Sequence, residues 1–117
     1  LAGAKLSTAI ITETDLRGAN LRYANLTQAD LSNSNLMGAD LTGANLTEAD
    51  FTKADLTGAS LRGANLRGAR LFRANLRGAD LTDARLQAAD LLKADLSNAR
   101  WTDGKTVCAE GSISQCK

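Results

Sequence analysis

The sequence predicts an all-β solenoid whose backbone turns once in every five residues. From Leu1 to Trp101, all 21 positions at a spacing of five are large and apolar, and all are Leu apart from Ile11, Phe51 and Trp101. Of the 20 positions that stand two residues before these side chains, 18 are Ala. Eight of the ten glycines stand two residues after them. A fixed short repeat of this kind is typical of a solenoid of stacked units.

A period of five residues excludes a plain helix and a plain strand. Five residues advance an α-helix by about 500°, so the leucines would spiral around it instead of forming a stripe. In a flat strand, successive leucines would point to opposite faces. We therefore expect Ala, Asp or Asn, and Leu to form a three-residue strand with Ala and Leu inward. The next two residues form a corner, and Gly at its second position suits the positive φ of a type II turn.

Individual units carry a family resemblance. Residues 39–43 (Ala-Asp-Leu-Thr-Gly) and 64–68 (Ala-Asn-Leu-Arg-Gly) resemble the pentapeptide repeat family, and the match covers residues 1 to about 103. The resemblance implies a right-handed quadrilateral parallel β-helix, in which four units make one coil. Twenty consecutive units then give about five coils.

The tail departs from the repeat and is expected to form a cap. After Trp101 the leucine register ends, so we divide the chain into a repeat domain, residues 1–103, and a short C-terminal cap, residues 104–117. The last coil of a solenoid exposes unpaired strand edges and an open apolar end, which a cap covers.

Both cysteines of the chain, Cys108 and Cys116, lie in this cap. Two cysteines in a chain without His cannot complete a tetrahedral zinc site. Their placement favours a disulfide between them, with two free thiols as the alternative. The Trp-x-Asp-Gly and Cys-Ala-Glu-Gly-Ser elements resemble the C-terminal ends of exported bacterial, including cyanobacterial, members of the family. We therefore expect an oxidising compartment: the periplasm, the thylakoid lumen or the cell exterior.

The sequence offers no catalytic residues, and we expect neither enzyme activity nor a metal or cofactor. There is no His, and the inward positions are nearly all Leu and Ala. The many Asp residues stand at the outward position before Leu, where Asp and Asn side chains typically hydrogen-bond to nearby backbone. We interpret these ladders as structural; ligand binding is the alternative.

Charge is distributed unevenly along the chain. Residues 1–60 carry four basic and seven acidic side chains, whereas residues 61–100 carry eight basic and four acidic ones. Aromatic residues and Arg are enriched at protein interfaces. The basic belt and two apolar residues expected to point to solvent therefore form a candidate surface for a partner or an anionic ligand: Arg62, Arg67, Arg70, Phe72, Arg73, Arg77, Leu92 and Lys93. Solvated arginines with two scattered apolar residues are the alternative. Nucleic acid is a weaker candidate, because the net charge is only +1 and one exposed aromatic makes no stacking platform.

The first coil is expected to be a site of self-association. It presents Ile10 where the repeat normally has Asp or Asn, and an open coil offers unpaired backbone groups and exposed apolar side chains. We expect this end to be covered by upstream residues or by a second copy in a two-fold dimer, whereas the cap should block a head-to-tail stack. The residues concerned are Leu1, Leu6, Ile10 and Ile11.

Together these features indicate a non-enzymatic structural or protein-interaction module with an unknown protein partner. No stretch is apolar enough over the length of a membrane span. One alternative is a DNA-mimicking, topoisomerase-protecting pentapeptide protein, which would need a strongly acidic rod. Another is the exported binding domain of a larger protein.

Overall fold

The computed structural model describes all 117 residues and has the architecture of a β-helix. The backbone completes a coil in twenty residues, since each of the 16 parallel β-bridges joins two residues that are twenty positions apart. The chain contains no α-helix and no strand longer than a single bridging residue. Its three dimensions are 34, 26 and 22 Å.

The bridging residues stack into four faces, which we number in chain order. Face 1 is the stack of Lys5, Asn25, Asn45, Asn65 and Arg85. Face 2 is the stack of Ile10, Asp30, Asp50, Arg70 and Asp90. Face 3 is the stack of Asp15, Asn35, Asp55, Asn75 and Asp95. Face 4 is the stack of Asn20, Asp40, Ser60, Asp80 and Arg100. The corner after face 1 contains residues 67–68 and 87–88, and the corner after face 2 contains residues 72–73 and 92–93.

Nineteen of the 20 corners are closed by the same hydrogen bond, and the exception is at Thr14, whose N–H donates to Oγ of Ser34 at 3.4 Å. The N–H of Ala donates to the carbonyl of the Leu three residues before it, as in the 3.0 Å bond from Ala44 to Leu41. The second corner residue has positive φ in all 20 units, although only eight of these residues are Gly. The positive φ expected of a type II turn is therefore present throughout. A non-Gly residue in this conformation costs about 1–2 kcal/mol. The N–H of this second corner residue donates to a carbonyl of the next coil, as the N–H of Glu48 donates to the carbonyl of Arg67 at 2.9 Å.

The expected three-residue strands are wrong, because each unit contributes one bridging residue to the ladder. The N–H of Ala and the carbonyl of Leu are both used by turns, as in the bond from Ala44 to Leu41. Only the residue between Ala and Leu has both its N–H and its carbonyl in the ladder: Asn45 donates to Ala24 at 2.9 Å and accepts from Leu26 at 2.8 Å.

Leu and Ala fill the interior, as the repeat predicts. The core cluster contains 29 buried residues, and Phe51, which takes a Leu position, is fully buried among them. The inward side chains from Leu21 to Leu81 are all buried, whereas Leu6, Ile11 and Leu16 in the first coil are only partly buried. Each inward Leu removed from water contributes about 1.5–3 kcal/mol. The middle coils therefore carry most of the stabilisation.

The cap covers only half of the C-terminal end. After Trp101 the chain reverses direction, so that Val107 pairs antiparallel with Arg100 on face 4 and Ile113 pairs antiparallel with Asp95 on face 3. The bridging residues of the tail pair with these two faces. Above faces 1 and 2 nothing covers the last coil, and Leu86, Ala89 and Leu91 are only partly buried. The cap therefore lies on two of the four faces of the last coil.

Within the cap, a disulfide joins Cys108 to Cys116, and the chain contains no free cysteine. Cys108 is buried against the core. Closing such a short loop restricts the unfolded chain. The disulfide therefore stabilises the segment with no leucine register of its own.

Candidate interaction surface

Two of the eight residues of the predicted partner surface are tied up within the rod. Arg62 forms an ion pair with Asp80, with Nη1 and Oδ2 at 3.0 Å. Arg77 bridges Asp95 at 3.2 Å and Glu110 of the cap at 2.9 Å. Both arginines lie on corners next to faces 3 and 4. Their guanidinium groups neutralise neighbouring carboxylates, so they add little free positive charge.

The ionisation of these carboxylates follows from their neighbours. Burial alone would raise the pKa of Asp80, but hydrogen bonds from Thr82, and then from Arg62, lower it below the usual value of 3.8. The pKa of Glu110 is lowered chiefly by its hydrogen bond to Arg77. Both carboxylates are therefore charged at neutral pH. Surface pairs of this kind contribute only about 0–1 kcal/mol each.

The other six residues of the predicted surface form one continuous area on face 2 and its two flanking corners. The four cations among them take part in no ion pair, unlike Arg62 and Arg77. The area consists of Arg67, Arg70, Phe72, Arg73, Leu92 and Lys93. We call these six residues the face 2 patch.

The two apolar residues of the face 2 patch differ in their exposure to solvent. Leu92 is 54% exposed, as expected, whereas Phe72 is only half-buried rather than fully open to solvent. Arg73 lies beside this ring, with its guanidinium carbon 5.3 Å from the ring centre. A cation over an aromatic face is attracted by the ring quadrupole. Phe72 and Arg73 thus form one stacked unit beside Leu92.

A surface depression of about 470 Å³ lies on the corner after face 1, next to the patch. It exists because Gly68 and Ala88 present almost no side chain there. Its lining residues are Thr47, Glu48, Asn65, Arg67, Gly68, Gln87 and Ala88. Of these residues, only Arg67 belongs to the surface predicted from the sequence. The twenty-residue coil, which stacks small residues at positions 68 and 88, is the signal that identifies the depression.

The Asp and Asn ladders have a structural role. All 14 Asp and Asn residues before Leu accept a hydrogen bond from the backbone N–H two residues later, as Asp30 does from Ser32 at 3.0 Å. Hydrogen bonds from the side chain and backbone of Ser32 lower the pKa of Asp30. These carboxylates are engaged with their own corners, which leaves them poorly placed for general acid or base chemistry.

The structure contains no cluster of side chains suited to a metal ion. The structure brings together no group of three or more His, Cys, Asp or Glu side chains that could hold a metal ion. No helix long and apolar enough to cross a membrane is present.

The first coil exposes the predicted self-association residues. Leu1 is 66% exposed and Ile10 is 82% exposed, whereas Leu6 and Ile11 are partly buried. The backbone N–H of Ile10 forms no backbone hydrogen bond. This end of the rod thus presents apolar side chains together with unpaired backbone.

Comparison with known proteins identifies the family. The pentapeptide repeat family, described as Pentapeptide repeats (8 copies), matches residues 1–37, 34–71 and 64–100. The chain therefore belongs to the pentapeptide repeat family, and its fold is a right-handed β-helix. No curated protein sequence matches it significantly.

Three solved structures of similar chains come from photosynthetic organisms. HetL of the cyanobacterium Nostoc sp. strain PCC 7120, involved in heterocyst differentiation regulation, is 39% identical over 90% of this chain and 52% of its own, with a TM-score of 0.61. Another pentapeptide repeat protein from Nostoc PCC 7120 is 40% identical over 80% of this chain and 65% of its own, with a TM-score of 0.56. One from the thylakoid lumen of Arabidopsis thaliana is 32% identical over 76% of this chain and 66% of its own, with a TM-score of 0.50. The chain thus spans about half to two thirds of the length of these proteins.

Proposed function

We propose that this chain is a non-enzymatic protein-interaction module that binds a partner protein through the face 2 patch. The supporting observation is the contrast between this patch and the rest of the rod. Arg62 and Arg77 are neutralised internally, whereas the cations of the patch are unpaired and lie beside Phe72 and Leu92. Arg and aromatic side chains around an apolar centre are typical of protein interfaces.

An oxidising compartment suits this role. The disulfide between Cys108 and Cys116 lies in the segment that closes faces 3 and 4. Disulfides persist in secreted, periplasmic and comparable spaces and are rare in the cytosol. A similar chain belongs to a thylakoid lumen protein of Arabidopsis thaliana. We therefore assign the chain to the periplasm, the thylakoid lumen or the cell exterior.

The scaffold that we assign to this role is a quadrilateral rod of about five coils. The support is the stacking of five bridging residues on each of four faces. Such a rod holds side chains of successive coils at a fixed spacing of about 4.8 Å. The face 2 patch is therefore presented on a rigid support, which lowers the entropic cost of binding.

Site-specific photo-crosslinking tests the proposal. Leu92 is replaced by p-benzoylphenylalanine, and Tyr23, which is 65% exposed on a corner away from face 2, is replaced in a control protein. Both are irradiated in lumenal or periplasmic extract. We expect a protein adduct from position 92 only, and we expect the added substitutions Arg70→Glu and Arg73→Glu to abolish it. Identical adducts from both positions, or adducts insensitive to the charge reversals, would refute the proposed surface.

We also propose that the exposed first coil associates with a second copy, end to end. The support is the 82% exposure of Ile10 at a position that the repeat gives to Asp or Asn. Sedimentation should detect a dimer that the substitution Ile10→Asp dissociates. Ile113→Asp, which changes a 42% exposed side chain in the cap, is the matched control and should leave the dimer intact. A monomer at high concentration would refute this second proposal.

A DNA-mimicking role is disfavoured by the surface charge. Such a protein needs a strongly acidic surface, whereas the net charge here is +1 and the face 2 patch is basic. Like charges near a nucleic-acid-binding partner's own cationic groove would oppose association. A gyrase supercoiling assay should therefore show no protection.

A further inference from the structure

We propose that the uncovered end of the last coil binds an extended acidic peptide segment of a partner protein, which adds as a β-strand along faces 1 and 2. This inference rests on the proposed protein-binding role and specifies the binding mode and the chemistry of the partner. In strand addition, free backbone groups at a sheet edge supply affinity, and the alternating side chains supply specificity.

The last coil has a set of free backbone groups above faces 1 and 2. The N–H groups of Leu86, Ala88 and Leu91 donate no backbone hydrogen bond, and the carbonyls of Ala84 and Ala89 accept none. In the coil below, the equivalent groups are all paired with the coil above them. The edge therefore presents donors and acceptors in the register that a further strand would use.

The cap demonstrates how such a strand pairs with this coil. On face 3, the N–H of Leu96 donates to the carbonyl of Ser112 at 2.8 Å, and the N–H of Ser114 donates to the carbonyl of Ala94 at 2.9 Å. These coil groups stand one repeat unit along the chain from the free groups of face 2. The same antiparallel pattern can therefore be continued by another extended segment.

The shape of this end favours a strand over a second rod. The cap adds one layer of chain on faces 3 and 4, which is about 4.8 Å thick. A flat coil end from another copy would meet this layer first and would stay out of hydrogen-bonding distance of faces 1 and 2. The remaining space is one strand deep and two faces wide, so about ten residues fill it, five for each face as in the repeat.

The charges beside this edge select an acidic segment. Residues 64–73 and 84–93, which form faces 1 and 2 and their corners in the last two coils, contain five basic side chains and one acidic side chain. The acidic one, Asp90, accepts a hydrogen bond from the backbone of Leu92 at 3.0 Å. The basic ones are Arg67, Arg70, Arg73, Arg85 and Lys93. A carboxylate-rich strand would complement this surface.

The cap also indicates the side-chain pattern of the added strand. Its inward residues are small and buried, with Cys108 at 1% and Ser112 at 0% exposure. Its outward residues, Val107 at 54% and Ile113 at 42%, are exposed. A strand on faces 1 and 2 should therefore alternate small inward residues with acidic outward ones.

Three labelled peptides of about ten residues test this mode. The first alternates Ser and Glu. The second has Gln in place of Glu and removes the charge. The third keeps the charge but has Pro in place of the central Ser, which removes a ladder N–H. Fluorescence anisotropy with the full chain should detect binding of the first, and binding at least about tenfold weaker for the other two.

Two readouts locate the binding. Peptide binding should slow hydrogen exchange at the amides of Leu86, Ala88 and Leu91. The substitution Arg85→Glu should weaken binding about tenfold, whereas Lys5→Glu, the same charge reversal at the opposite end of face 1, should leave it unchanged.

The outcomes separate this inference from the proposed function. Equal binding of the Pro peptide, no added amide protection, or equal binding of a single-stranded DNA oligonucleotide would overturn strand addition. A head-to-tail dimer that the Ser-Glu peptide cannot displace would overturn it in favour of a second copy. None of these results would affect the crosslinking at position 92, which tests the proposed partner surface independently.

Discussion

Replacing the same residue type in one inward column, but in different coils, should give very different losses of stability. Leu56 and Leu16 stand two coils apart in the column that follows face 3. Leu56 is 0% exposed, with a coil on either side, whereas Leu16 in the first coil is only partly buried. Leu→Ala in a fully packed site costs about 2–5 kcal/mol, because a cavity remains. Leu56→Ala should fall in this range, and Leu16→Ala should cost about half as much, since less apolar area leaves the interior.

Urea denaturation of both variants and of the native chain, followed by circular dichroism and by Trp101 fluorescence, measures the two losses. Two probes are needed because a solenoid can unfold coil by coil, and coincident transitions justify a single free energy of unfolding. Equal losses for Leu56→Ala and Leu16→Ala, or a loss below about 1 kcal/mol for Leu56→Ala, would contradict the stacked interior on which the account depends.

Three further predictions concern the cap, the ladders and the corners. Thiol titration of the unfolded, unreduced chain should find no free thiol, and two titratable thiols would contradict the disulfide. Replacing both Cys108 and Cys116 by Ser should destabilise the cap by about 2.5 kcal/mol. Hydrogen bonds from Ser32 lower the pKa of Asp30 below 3.8, so ionised Asp30 contributes to stability above that pH, and this contribution is lost as the pH falls through the folded pKa. The melting temperature should therefore be constant around neutral pH and drop below about pH 4. A drop already at about pH 6 would show that the loss of stability does not come from Asp30. Gly58→Ala should lower the free energy of unfolding by about 1 kcal/mol. The cause is the φ of +66° alone, because a Cβ at this position would contact nothing within 4 Å. An unchanged urea midpoint would show that this corner tolerates Ala freely.

The repeat is predictable from the sequence because register alone decides which residues are inward. A period of five with Leu and Ala inward admits only a chain that turns at every unit, and the 14 Asp and Asn residues before Leu then act as corner acceptors. The strand length was less predictable. It depends on which backbone groups form hydrogen bonds within the turns. In the turn from Leu41 to Ala44, the carbonyl of Leu and the N–H of Ala bond to each other and are therefore lost to the ladder.

The reversal of the chain at the cap was not predictable from the repeat. It occurs at a local turn, where Asp103 accepts hydrogen bonds from the backbone of Lys105 at 2.9 Å and Thr106 at 2.8 Å and Gly104 has a φ of +71°. In sequence this Asp and Gly are displaced from the repeat: Asp103 stands where a unit often has Gly, and Gly104 stands where it has Ala. The course of the following chain is decided by its pairing with Arg100.

The length of the coil decides which arginines form ion pairs within the rod. Three arginines that directly follow Leu pair with an Asp that stands 18 residues later: Arg22 with Asp40, Arg62 with Asp80, and Arg77 with Asp95. This spacing brings the two side chains together across adjacent coils. Position 85, which stands 18 residues after Arg67, is Arg, so Arg67 finds no such partner. The spacing of 18 residues is present in the sequence, but it predicts ion pairs only once the coil is known to be twenty residues long.

Hydrogen exchange of the free chain tests most directly whether the last coil is half covered and therefore open to a partner on faces 1 and 2. The amides of Leu96 and Trp101 donate to the cap at 2.8 and 2.7 Å, whereas those of Leu86 and Leu91 form no backbone hydrogen bond. We expect slow exchange for the first pair and fast exchange for the second pair within the same coil. Equal protection of all four amides would mean that the chain covers its own end, and would contradict the open binding edge.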